Sequence, residues 1–221
     1  MTNKVFFDDK AELVNHILSK IDINSSIRVQ KVLYLLYAYY GAIYGSLEQE
    51  KSYEEFETYP KRLFNANFEA WQYGPIDSEV WSAYKKNKYE AKEYDAKTPQ
   101  EKNIILFLND LISQTNEIND FGLIDRTHQD ESWIEKYDDK TKHIKMDSDA
   151  IVKEYKKRYV NGRGWVYTYW KANKVNLQKK KVAQVLFKIK KGQLLFPLLT
   201  KTLSKIGVFL FLFLLILLTK F

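Results

Sequence analysis

Apolar positions recur at helical spacing through most of the first 160 residues. Asp9 followed three positions later by Glu12 forms a capping-box pattern, and Leu13, Val14, Ile17, Leu18 and Ile21 then mark one face of an amphipathic first helix. Ser25 is placed to cap a second helix over about 27–45. Positions 32–44 carry no charge and are crowded with Leu, Tyr, Ala, Val and Ile, so this helix is apolar nearly all round. Spanning a bilayer takes about 20 apolar residues, and this shorter stretch therefore predicts a central core helix with other elements packed around it. The polar stretch 46–62 has no dominant period and reads as a loop. FEAWQYGP, residues 68–75, partly alternates and ends in a Gly-Pro turn, as in a short strand, and a helix should follow over about 76–84. Thr98, Pro99 and Glu101 are a strong helix start, with Ile104, Ile105, Leu108, Leu111 and Ile112 as the buried face behind them. Shorter helices are expected at about 131–137 and 148–159, the latter with Ile151, Val152, Tyr155 and Tyr159 on one side. The expected fold is mainly α: a compact multi-helix domain around a buried central helix, with a short extended or β segment near residues 67–73 and a C-terminal helical apolar tail.

Composition fits one such domain plus an appendage, since 221 residues with 45% hydrophobic and 15% aromatic content supply a sizeable core. The absence of cysteine removes disulfides and thiolate metal sites and agrees with a reducing interior. The N-terminus meets Asp8, Asp9 and Glu12 before any long apolar run, which is unlike a secretory signal, so the cytoplasm is the expected compartment. The net charge of +7 hides two unlike regions. Residues 1–154 carry 20 Lys and Arg against 28 Asp and Glu, a net −8, whereas residues 155–221 carry 15 Lys and Arg and no acid. An acidic body is a poor nucleic-acid surface, and only the last third has the charge to attract phosphate or anionic lipid.

Three ordered segments stand out against this background. The first is IRVQKVLYLLYAYYGAIYG, with Lys31, Leu33 and Tyr34. The second is FEAWQYGPIDSEVWSAYKK, with Trp71, Tyr73, Gly74, Pro75 and Trp81. The third is FGLIDRTHQDESWIEKY, with Thr127, His128 and Trp133. Together they resemble the Panacea domain family, which includes phage-associated GepA-like proteins and SocA-like antitoxins. The family pattern has a Pro before the last Trp, where this chain has Ser132. The resemblance covers about residues 10–160.

This resemblance implies an antitoxin that neutralises a cognate toxin, usually encoded by the adjacent gene, through direct protein contact. The alternatives it leaves are a proteolytic adaptor delivering a toxin to a cytoplasmic protease, and a membrane-associated phage protein. Lys31, Tyr34, Trp71, Tyr73, Gly74, Pro75, Trp81, Thr127, His128 and Trp133 are the family-motif or partner-binding candidates. The segment at 71–75 also reads as a core anchor beside a tight turn. His128, flanked by Asp125, Asp130 and Glu131, has the neighbours that raise an imidazole's pKa and the makings of a base or metal ligand. No HExxH, GxSxG, P-loop or GxGxxG pattern completes an enzyme site, so no catalytic residue, metal or cofactor is expected and His128 reads as hydrogen-bonded structure.

After Tyr159 the composition changes. A basic, aromatic and lysine-rich extension, residues 161–202, includes Lys179, Lys180, Lys181, Lys188, Lys190 and Lys191. An apolar tail, 203–221, follows it. The uncharged run 206–218 is only about 20 Å long as a helix, whereas 203–221 reaches roughly 28 Å, with Lys205 and Lys220 able to snorkel at its ends. Three readings fit the tail: a membrane anchor holding the domain on the cytoplasmic face, an apolar helix packed against protein, and translation in a non-native reading frame.

Overall fold

Side-chain caps start most of the helices. The computed structural model describes residues 5–45, 59–141 and 143–160. The carboxylate of Asp9 accepts from the Ala11 N–H at 2.8 Å to open α1 (Lys10–Leu18). Ser25 Oγ accepts from the Arg28 N–H at 3.0 Å to open α2 (Ser26–Ile43). In α4 (Pro99–Asn116) the full Thr98–Glu101 capping box is present behind Pro99. These caps satisfy backbone donors that the first helical turn leaves without partners. Helix α2 runs through the middle of the domain as expected, with Val32, Leu33, Tyr34, Leu36, Ala38 and Tyr40 all at 0% exposure. Tyr34 and Tyr37 meet the ring of Phe68 edge-on at 5.3 and 5.6 Å.

The extended segment near 67–73 is part of a small antiparallel sheet. Strand β1 (Phe68–Trp71) pairs with β2 (Gly74–Asp77) in the register Phe68↔Asp77 to Trp71↔Gly74. On its other side β1 pairs with the two-residue β3 (Ile144–Lys145). The helix expected from position 76 therefore begins later, as α3 (Ser78–Lys85), because the chain first completes β2 and Asp77 caps the helix. Pro75 is tolerated in β2 because this is an edge strand, where a missing N–H breaks no outer ladder. Alternation along β1 sends Phe68 and Ala70 into the core, at 1% and 2% exposure, and puts Glu69 and Trp71 on the opposite face.

The rest of the domain wraps around α2. A helix not anticipated from the pattern, α5 (Asp120–His128), starts on an Asn119 cap and buries Leu123, Ile124 and Thr127. The expected helix at 131–137 is a single turn, α6 (Glu131–Ile134). The one at 148–159 is α7 (Ser148–Tyr155), continued by a π-helical turn, Lys156–Val160. Among the described residues no helix is long and apolar enough to cross a membrane. The chain divides into two units, Met1–Gly164 and Trp165–Phe221. The basic extension at 161–202 and the apolar tail at 203–221 lie outside the described residues, as does most of the 46–62 loop.

Candidate functional site

The three sequence motifs converge where α2, the β1–β2 hairpin and the α5–α6 corner meet. Lys31 projects from α2 with no exposure and donates from Nζ to the Pro75 carbonyl at 2.8 Å. Burial lowers its pKa from 10.5 to about 7. Gly74 lies directly above it at φ +91°, a backbone conformation open mainly to glycine. A Cβ there would sit 2.6 Å from Thr127 Oγ1 and 3.0 Å from Lys31 Nζ. Lys31, Gly74, Pro75 and Thr127 thus form one packed unit, and position 74 admits no side chain.

One turn further along α2, the Tyr34 hydroxyl donates to Asp130 Oδ2 at 2.9 Å, and the Tyr155 hydroxyl of α7 donates to the same oxygen at 2.7 Å. Arg126 and Arg158 approach Asp130 Oδ1 at 2.8 and 3.1 Å. Asp130 has no exposure, so its charge is balanced entirely inside the protein. Burial holds both tyrosine pKa values well above the ordinary range. The Asp130 charge adds to this for Tyr34, and Tyr34 and Asp130 add to it for Tyr155, so both hydroxyls remain donors. Glu154 accepts from the backbone N–H groups of Glu131 and Ser132 and pairs with Arg158 at 2.8 Å, which closes the corner.

His128 stacks on Trp133 with ring centroids 4.0 Å apart, and Trp133 stacks on Tyr137 at 4.7 Å. The Trp133 Nε1–H donates to the Trp71 carbonyl at 3.1 Å, tying this stack to the hairpin. The flanking carboxylates do not set the pKa of His128, which the fold lowers. Burial lowers it, the nearby Lys31 lowers it further, and the Gln72 backbone and Asp125 only partly oppose them. Asp130, its neighbour in sequence, is turned toward Tyr34 and Tyr155 instead. Among the described residues no group of His, Asp and Glu is arranged to hold a metal ion.

Trp71 and Trp81 stand 5.6 Å apart on the outer side of the hairpin, both half-buried, and Tyr73 at the hairpin tip is 55% exposed. The core-anchor reading of 71–75 therefore holds for Gly74 and Pro75, whereas Tyr73 faces solvent. Beside Trp71 lies a group that the motifs did not single out. The nearly buried Glu69 carboxylate accepts from the Trp71 Nε1–H and the Ser78 hydroxyl, both at 2.9 Å, and from His143 Nδ1 at 2.8 Å. Burial disfavours its charge, but these three donors outweigh that and keep its pKa below the ordinary value. Trp71 and Glu69 share a face because they are two apart on a strand, which was the available signal. His143 and Tyr155 arrive from distant segments and left none.

Residues 49–134 match the family model described as Antitoxin SocA-like, Panacea domain. The matched stretch contains the hairpin motif and the Thr127, His128 and Trp133 segment. Lys31 and Tyr34 precede it, and Tyr137, His143 and Tyr155 follow it. The internal bonds of Lys31 and Tyr34 nonetheless bind α2 to the matched stretch at Pro75 and Asp130. No curated protein and no solved structure matches the chain.

Proposed function

We propose that this chain is a cytoplasmic antitoxin that neutralises a toxin, encoded by the adjacent gene, through direct protein contact at the face carrying Trp71, Tyr73 and Trp81. The observation that carries this reading is the SocA-like Panacea match over 49–134, which includes all three rings. Trp and Tyr bury large areas at low entropic cost and dominate binding hot spots, and here Trp71 and Tyr73 are held on a hairpin fixed from beneath by Lys31 and Trp133, with Trp81 beside them on α3. The polar groups under that face argue for a scaffold. Lys31, Thr127 and Asp130 have no exposure and are bonded to other parts of the protein, so a substrate has no path to them.

Co-expression tests the proposal. The adjacent gene expressed alone should arrest growth, and adding this gene on a second plasmid should restore it. A neighbour that is harmless alone, or that stays toxic at equal expression of this protein, would overturn the reading.

A further inference from the structure

Beside the outer face of β1 is a cavity of about 330 Å³, lined chiefly by Trp71, Tyr137, Asp138, Asp139, Thr141 and His143. Its walls combine two aromatic rings, an imidazole and two carboxylates. The His143 side chain is 58% exposed, yet it is held in place. Its ring meets Trp71 edge-on at 4.9 Å, its Nδ1 is bonded to Glu69, and its backbone sits in the left-handed region at φ +62°, which few side chains other than Asn, Asp and His adopt. A carboxylate can only accept, so His143 Nδ1 carries a proton and donates it to Glu69. Asp138 accepts from the Lys140 N–H and the Thr141 hydroxyl, which shape the turn that brings both aspartates to the cavity.

A guest that fits these walls must be flat, cationic and rich in donors. A guanidinium stacks on indole and phenol rings, donates in several directions within its plane and pairs with carboxylates, whereas an ammonium lacks the flat face. We infer that the cavity receives an arginine side chain of the partner protein, stacked against Trp71 and Tyr137 beside the His143 ring and facing Asp138 and Asp139. The inference rests on the antitoxin reading only for the identity of the protein that supplies the arginine.

The test uses the full chain and three blocked tripeptides: N-acetyl-Ala-Arg-Ala-amide and its Lys and Glu counterparts. The Trp71 indole and His143 imidazole resonances are followed by NMR during each titration. The Arg peptide should shift both signals saturably, and the Lys and Glu peptides should bind at least about tenfold more weakly. Asp139→Asn, and separately His143→Asn, which tolerates the left-handed backbone, should each weaken the Arg peptide several-fold to about tenfold while leaving the remaining resonances in place. Equal binding of the Lys or Glu peptide, no shift with the Arg peptide, or unchanged affinity in both variants would overturn the assignment. Arginine binding without rescue in co-expression would retain the cavity's chemistry and reject the antitoxin role. Rescue without arginine binding would do the reverse.

Discussion

Replacing Asp130 by Ala is expected to cost the domain about 3–5 kcal/mol of folding stability, the range for removing one partner from a buried charged network. Asp130 is the acceptor for two buried tyrosine hydroxyls, at 2.9 and 2.7 Å, and the counter-charge for Arg126 and Arg158. Its loss takes a bonding partner from groups that solvent reaches poorly, and a methyl cannot replace it. Because Tyr34 lies on α2, Asp130 after α5 and Tyr155 on α7, the damage should spread through three elements and lower the midpoint of the whole cooperative transition. Urea denaturation of the wild type and of Asp130→Ala measures it directly. A change below about 1 kcal/mol, the usual size for an exposed ion pair, would mean that the network is not buried as described.

Lys31 sets a second large effect, this one dependent on pH. Its folded pKa of about 7 lies below the unfolded value of 10.5, so between these limits the unfolded chain holds a proton that the folded chain has released. Stability from this group is therefore fully present above about pH 10.5 and is lost as pH falls toward 7. Below that the contribution is flat, because both states are protonated. The full swing is on the order of 5 kcal/mol at 1.36 kcal/mol for each tenfold change in proton affinity. Lys31→Met abolishes the swing but leaves the Pro75 carbonyl without its donor, at a cost of about 1–3 kcal/mol. The mutant should thus gain on the wild type near pH 7 and fall behind it near pH 10. Melting curves of both proteins across pH 6–10 would reveal the crossing. A constant difference across that range would show that Lys31 keeps its ordinary proton affinity when folded.

Local chemistry explains which parts of this fold were legible in the chain. Caps at Asp9, Ser25 and Thr98 act within a few residues of themselves, and the uncharged run in α2 has one economical home, so these elements are readable from the pattern. Strand β2 is masked by Pro75 and by a helix cap at Asp77 that draws the eye to the following helix. Strand β3, two residues long, carries no periodicity of its own. Helix α5 contains Gly122, yet its Asn119 cap with Leu123, Ile124 and Thr127 behind it was a usable signal.

The candidate site divides in the same way. Gly74, Thr127 and Trp133 stand in recognisable segments, but their partners are contributed from far along the chain. Asp130 was visible only as a neighbour of His128, which says nothing of its true partners. Its carboxylate turns inward to Tyr34 and Tyr155, while the His128 ring turns to stack on Trp133. The pairing of Glu69 with His143 spans 74 positions, and no spacing rule anticipates a contact made through the tertiary fold.

The central claim is that the aromatic face of the hairpin grips another protein, and titration calorimetry of the purified chain against the adjacent gene's product tests it most directly. The account predicts a saturable complex that Tyr73→Glu weakens by at least about tenfold, since this side chain is 55% exposed at the tip of the proposed contact face. No heat of binding with an active toxin, or equal affinity for wild type and Tyr73→Glu, would contradict it.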